Sequence, residues 1–440
     1  MSEENKFPRV LVISHNALST TGNMGKTMAD LLSCVPADNM AQLFFHNDTP
    51  DADCNCGRYF RVTDVNMVKS VFSRKAGYKI YTKATLAAKA DATSGKKTSG
   101  AVHRIYQFSR RRTPFIYTAR NLLWSVGVWN SKALQSWIED FSPDVIFFAA
   151  GDYAFAYKIV HAIAQKQGIK VVPWFGDDFY LRQLAPKQIF QKLVRNNLKK
   201  WAKKVFAVSD IVTTISDKMA ADYAEHFGVK TQVVRISATA PQNSTQSSQR
   251  QGIYYIGNLG VNRFAPLMQF AQQLHSADIP GLEHIHVYSG EKNQNTLDML
   301  KNAEGIVFHG AVAPEVVQQL QAEAKYLLHT ESFGQQYKNR TRYSLSTKIA
   351  EYLASGACIV AYGPDDIASM EYLKQGSAAL VSQDAQQLVQ LIKDAQNNPQ
   401  LYSQTVANAQ LMAQTHHNPH TNNKKMKEIL LSSARQPAGI

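Results

Sequence analysis

Two series of short apolar runs, each alternating with helix-length amphipathic stretches, constrain this chain more than any other feature. In the first series Arg9–Ser14, 40–46, Pro143–Ala149, Lys170–Trp174, 205–215 and 229–236 read as strands. Runs that are apolar throughout, rather than at every second residue, suit strands covered on both faces, as in parallel sheets. Helical patterns at 27–32, 154–167 and 217–226 lie between them, the last two ending at Gly168 and Gly228. The tract 238–251 (ATAPQNSTQSSQRQ) carries no large apolar residue and reads as a linker. A second series then opens at Ile253, with strands at 253–257, 284–289, 305–308, 325–329 and 357–361 and helices at 265–276, 293–302, 314–323 and 347–355. Such alternation predicts α/β architecture: two doubly wound, Rossmann-like domains facing each other across a cleft. The expected limits are 1–240 for the first domain, 241–251 for the linker and 252–400 for the second domain. A helical tail over 401–440 is a candidate to cross back to the first domain. A length of 440 residues suits two cores of about 200 residues each.

Charge is concentrated rather than spread. The net charge is +14, yet residues 69–120 hold thirteen Lys and Arg against one acid, Asp91, and residues 187–204 hold seven and no acid. Both patches fall in the first half, which points to an anionic partner there. Residues 66–124 read as an exposed helical excursion, broken at 92–100 (ATSGKKTSG). The N-terminus lacks the apolar core of a secretory signal, and no run reaches the roughly 18 apolar residues that span a bilayer. The expectation is a cytoplasmic protein, peripheral at the inner face of the cell membrane, bound to anionic lipid through 69–120 and 187–204. Cys34, Cys54, Cys56 and Cys358 are too few for a disulfide scaffold, and no His/Cys pairing has zinc spacing. No helix-turn-helix, zinc-finger or RNP-type sequence supports a nucleic-acid partner.

The chemistry-bearing stretch is Ser344–Leu353 (SLSTKIAEYL). Ser344 or Ser346 suits a helix N-cap, and the backbone N–H groups at 346–348 suit a phosphate. Lys348 opposes the positive end of the helix dipole, a placement that makes sense if a diphosphate sits there. Glu351, nearly one turn on, suits a ribose. In the first domain Thr20–Thr27 (TTGNMGKT) has a Gly25-Lys26-Thr27 ending, but Thr20 stands where a phosphate-cradling P-loop needs glycine. Gly22, Asn23 and Gly25 remain as a loop that lets backbone approach phosphate or acceptor. Asp177 and Asp178, after the strand ending at Trp174, and Asp152 are candidate catalytic carboxylates.

The stretch SLSTKIAEYLASGACIVAYGP resembles the donor-binding signature of retaining GT-B glycosyltransferases, those of family 4 and relatives. Ile253–Leu259 with Arg263, Val307–Gly310 with Val312, Thr330–Gly334, Ser142–Ile146 and Ala207–Ser216 follow in that family's order. The resemblance implies a metal-independent hexosyltransferase with no cofactor beyond its nucleotide-sugar co-substrate, acting on a glycan or polyprenyl-diphosphate-linked acceptor in cell-surface polysaccharide or glycoconjugate assembly. It implies donor contacts at Gly257, Asn258, Arg263, Gly310, Val312, Glu331, Tyr343, Ser346, Thr347, Lys348 and Glu351. Two departures stand out. Tyr343 occupies the position of the family's first glutamate, so either that acid is absent or Glu331 replaces it across an insertion carrying Lys338, Arg340 and Arg342. Asp177 or Asp178 stands where many relatives have a sugar-contacting histidine. A non-catalytic partner subunit and a nucleotide-sugar epimerase are the alternative readings.

Overall fold

The computed structural model describes residues 7–21, 23–90, 113–181, 189–240 and 249–435. The chain divides into two units, Met1–Val234 with Asn423–Ile440, and Arg235–Asn422.

The first unit is built on an eight-stranded sheet. Its strands are β1 (Val10–Ser14), β2 (Met40–Phe44), β3 (Arg58–Arg61), β4 (Lys79–Thr82), β5 (Val145–Ala149), β6 (Lys170–Phe175), β7 (Val212–Thr214) and β8 (Thr231–Val233). The order is β4-β3-β2-β1-β5-β6-β7-β8, parallel throughout except for β3 with β4. Central β1 is buried along its whole length, which is why its sequence is apolar without alternation. Residues 205–215 do not form one strand. Leu198, Ala202, Val205 and Phe206 are the buried face of the helix Ile189–Phe206, and the strand begins only at Val212. One apolar run therefore serves a helix end and a strand. The first helix starts at Asn23, earlier than its apolar pattern suggests, and ends at Leu31.

The second unit has six strands: β9 (Gln251–Ile256), β10 (Ile285–Tyr288), β11 (Ile306–Gly310), β12 (Ala324–Thr330), β13 (Cys358–Tyr362) and β14 (Ala379–Ser382). All are parallel, in the order β11-β10-β9-β12-β13-β14. Ile253, Tyr255, Val287 and Leu328 pack one face of this sheet against Leu267, Phe270, Leu388 and Ile392 of the covering helices. The winding direction reverses between β9 and β12, and in the first sheet between β1 and β5. Open α/β sheets bind ligands at such reversals, beyond the carboxyl ends of the strands.

One helix is fastened directly over the second reversal. The Tyr352 hydroxyl accepts from Ile256 N at 3.2 Å and donates to Ile256 O at 3.1 Å, tying the helix Thr347–Ala354 to the end of β9. The C-terminal helix Pro419–Ser433 joins the first unit from Asn423 onward. There Ser33 Oγ donates to Asn423 Oδ1 at 2.8 Å, and Arg435 N to Asp144 O at 3.0 Å. Among the described residues no helix is long and apolar enough to cross a membrane.

Tyr352→Phe keeps the ring and removes both bonds to a buried backbone. It is expected to lower unfolding free energy by about 1–3 kcal/mol in urea titrations; an unchanged midpoint and slope would show that the tether carries no stability.

Candidate active site

The residues singled out around the second sheet gather at its reversal. β9 ends at Ile256, and Gly257 follows with φ +142°, in the region that favours glycine. A Cβ there would lie 2.6 Å from Lys348 Cδ and 2.8 Å from its Nζ. Bare backbone at 257 and the lysine stem therefore occupy adjoining space. Lys348 and Tyr352 are four residues apart and share a helix face. The Tyr352 tether to Ile256 thus sets Lys348 over the end of β9, where Nζ stands 4.2 Å from the centre of the Tyr255 ring. The Tyr255 hydroxyl donates to Asn258 O at 2.7 Å, fixing the following turn.

β12, the neighbour of β9 across the reversal, supplies further groups. Glu331 follows its last residue, is 2% exposed, and accepts at Oε1 from Arg263 Nη2 at 2.8 Å and Nε at 3.1 Å. His329, two residues earlier on the same face, has Nε2 at 3.7 Å from Glu331 Oε1 and makes no hydrogen bond. The Lys348 ammonium is also buried without a hydrogen-bond partner. Arg263 is thus paired with Glu331, while the Lys348 ammonium has no hydrogen-bonded carboxylate. Burial, then repulsion from Arg263, brings the Lys348 ammonium down to about 7, against the pull of Glu331 and Glu351. Burial, then Lys348 and Arg263, holds His329 well below the ordinary imidazole range. Burial raises Glu331 while Arg263 pulls it down. A buried ammonium without a hydrogen bond is costly.

Other donor candidates take varied places. Ser346 is the half-buried N-cap of Thr347–Ala354 and its side chain makes no cap hydrogen bond; Thr347 is exposed. Glu351 is half-buried and accepts from Gln321 Nε2 at 3.2 Å. Gly310 ends β11 with φ +82°, and Val312 lies half-buried just beyond. Asn258 is exposed at the β9 turn. Tyr343 is 3% exposed, beneath the Arg342 guanidinium at 5.0 Å, so its side chain belongs to the core. The insertion forms the helix Gln335–Thr341, in which Lys338 pairs with Asp366 at 2.8 Å.

In the first unit, Asp178 is 3% exposed and fully engaged. Its Oδ1 accepts from Tyr180 N at 3.0 Å and from the Tyr223 hydroxyl at 2.8 Å, and its Oδ2 from Leu181 N at 3.1 Å. It caps the turn after β6, which removes it from the catalytic candidates. Asp177 is half-buried at the same strand end. Asp152 follows β5 at the first sheet's reversal, half-buried, and accepts from the Tyr117 hydroxyl. Gly25 lies inside the helix Asn23–Leu31, where a Cβ would be 2.5 Å from Ala17 O and 2.7 Å from Ser19 Cβ. Its bare backbone is needed by the protein's own loop, not by a ligand. Asn23 begins that helix; Gly22 lies outside the described residues. His329, Tyr255, Tyr117 and His15, whose ring is 5.0 Å from that of Tyr153, were not singled out from sequence. An imidazole inside the apolar run of β12 was the one available signal.

Two family models match the chain: Glycosyltransferase Family 4 over residues 87–237 and Glycosyl transferase-like over residues 267–430. The chain is a glycosyltransferase with two Rossmann-like, GT-B domains. Among solved structures it is similar to Anabaena HepE (Alr3699) in complex with UDP, at 14% identity and TM-score 0.61, covering 96% of this chain and 100% of that one. It is similar to sucrose-phosphate synthase from Thermosynechococcus elongatus, at 12% identity and TM-score 0.58, covering 96% and 98%. A UDP-forming α,α-trehalose-phosphate synthase from Burkholderia vietnamiensis is a third, at 14% identity and TM-score 0.57, covering 97% and 100%. At such identities the likeness speaks for the fold. No curated protein matches the chain.

A lysine whose folded pKa lies below its unfolded value binds fewer protons when folded, so stability rises with pH between the two values. With Lys348 at about 7 against an ordinary 10.5, the penalty is full below pH 7 and relieved as pH approaches 10.5. Lys348→Met is therefore expected to stabilise the ligand-free protein by about 3–5 kcal/mol at the acid end, fading toward pH 10. A difference that does not vary with pH would contradict the buried charge.

Proposed function

We propose that this glycosyltransferase takes a sugar from a nucleotide donor held at the reversal of its second sheet. The acceptor in this reading is a glycan or polyprenyl-diphosphate-linked carrier at the inner face of the cell membrane, within cell-surface polysaccharide or glycoconjugate assembly. The observation that carries it is the buried Lys348 ammonium, without a hydrogen-bond partner and facing Arg263. A diphosphate supplies the charge that this setting lacks, and the N–H groups at 346–348 and the helix dipole add to its hold. As the bond to the leaving diphosphate breaks, Lys348 and Arg263 offset the negative charge that grows on it, so no metal is required.

In this reading Glu351 accepts from the ribose hydroxyls, while Gly310, Val312 and Asn258 lie along the base and phosphates. Glu331 holds Arg263 in place. UDP, bound in the HepE structure, is the first nucleotide to try. Asp177 is the carboxylate proposed to orient the acceptor hydroxyl or take its proton; retention of anomeric configuration follows the family resemblance. The basic stretches 69–120 and 187–204, of which 91–112 and 187–188 lie outside the described residues, are proposed to hold it against anionic lipid.

Titration calorimetry with UDP is expected to show Lys348→Met weakened about 10- to 100-fold, or roughly 1.4–2.8 kcal/mol, with Arg340→Ala unchanged. Parent-like affinity in Lys348→Met removes the diphosphate seat. Asp177→Asn is expected to keep UDP affinity and lose about 100-fold or more in turnover once a donor and acceptor are paired. Full turnover in that variant would assign the acceptor step elsewhere.

A further inference from the structure

Charge alone does not account for the outer surface of the first unit. The helices Asp64–Ser73 and Ile189–Phe206 both pack against Pro114–Val126. The three most exposed large hydrophobic residues of the described chain lie on these helices: Phe72 at 85%, and Phe115 and Phe190 at 71% each. Leu122 and Leu193 are also mostly exposed. Phe115 and Leu122 are seven residues apart and share a face of their helix. In Ile189–Phe206 the outward row begins with Ile189 and Leu193 and continues four and seven residues at a time into Lys200 and Lys203. The row is apolar at its start and basic at its end. A helix packed in a soluble core turns such side chains inward; here they face out.

Along Ile189–Phe206 the charge is wholly basic, while on the other two helices Asp64 pairs with Arg120 at 3.0 Å, and Asp178 pulls on Lys199. No acid occurs between 187 and 204. His226 is held below the usual imidazole range by burial and then by Lys199 and Lys203. His161 is lowered by burial and then by Lys204, and Lys199 by burial, then Arg195 and, more weakly, Lys203, against a pull from Asp178. Trp201 sits among these cations, with Lys204 Nζ 4.4 Å and Lys158 Nζ 5.3 Å from its ring. Exposed aromatics, a half-buried tryptophan and a field that seeks anions combine the two attractions that hold a protein in the plane of a membrane interface.

We propose that the helices Asp64–Ser73, Pro114–Val126 and Ile189–Phe206 insert Phe72, beside the end of Pro114–Val126 where Val128 N donates to Ser70 Oγ at 2.9 Å, and Phe115 and Phe190, at their helix starts, into the headgroup–acyl boundary of an anionic bilayer. This deepens the membrane part of the proposed function and rests on it; the donor seat is independent of it. Large exposed apolar groups rimmed by cations fit a lipid surface better than a polar partner, because burying phenylalanine and neutralising lysine are satisfied together.

The test is flotation of the full chain with phosphatidylglycerol-containing vesicles and with phosphatidylcholine vesicles, at low and high salt. The parent is expected to float with the anionic vesicles and to keep part of that binding at high salt. F72S/F115S/F190S is expected to bind about tenfold more weakly, with its melting temperature and UDP affinity unchanged. F190W is expected to shift its emission to the blue and to be quenched by acyl-brominated lipid. If the triple variant floats like the parent and salt erases binding in both, insertion is overturned and only an electrostatic anchor stands. If the parent does not float, insertion and anchor both fall. Self-association of the parent in sedimentation without flotation would overturn the proposal by making the face a contact between copies.

Discussion

An ammonium group buried against an aromatic ring, with no hydrogen bond and a guanidinium nearby, is the constraint on which the second unit is organised. Lys348 reaches that position because Tyr352, one turn along, is bonded to both backbone polar groups of Ile256. Gly257 leaves the space that the lysine stem fills. Arg263 would add to the repulsion, but Glu331 holds it from the end of β12. Each device is ordinary alone. Together they hold a buried ammonium and an ion-paired guanidinium at the place where the parallel winding reverses. In a protein only marginally stable overall, such a concentration of charge persists only where the surrounding packing determines it.

The first unit follows a related logic at a surface. Its sheet reverses between β1 and β5, and Asp152 stands there, bonded by Tyr117. Farther out, lysines and phenylalanines share one set of helices, with Asp64 paired to Arg120 and no acid along Ile189–Phe206. Both units thus present basic groups: a buried ammonium at Lys348 and an exposed row of lysines along Ile189–Phe206.

Much of this was legible in the sequence, for physical reasons. Doubly covered parallel strands need unbroken apolar runs, so β1, β5, β9 and β12 announce themselves. Lys348 at a helix start is unfavourable by dipole, and the structure finds its ammonium buried without a hydrogen bond. Other features were not legible. β3, Arg58-Tyr-Phe-Arg61, lies near a sheet edge and ends in arginines, so its strand character rests on pairing that spacing cannot show. Residues 205–212 look like one strand because a helix's buried face runs on into β7. Asp178 and Gly25 resembled ligand-binding residues since a turn cap and a ligand contact use the same residue types; only the partners, Tyr180, Leu181 and Tyr223 for one and Ala17 and Ser19 for the other, separate the two. The depth of Lys348 depends on the Tyr352 tether, and sequence does not say which backbone a tyrosine will bond.

The central claim is that Lys348 is a buried cation awaiting an anion, and its own titration tests this most directly. Carbon-detected NMR of the lysine Cε signals, with Lys348→Met as the assignment control, follows that titration with and without UDP. The account predicts a lysine titrating near 7 in the free protein and moving to higher pH when UDP binds, as a diphosphate stabilises the ammonium. A Lys348 signal that titrates like the surface lysines, or ignores saturating UDP, would contradict it.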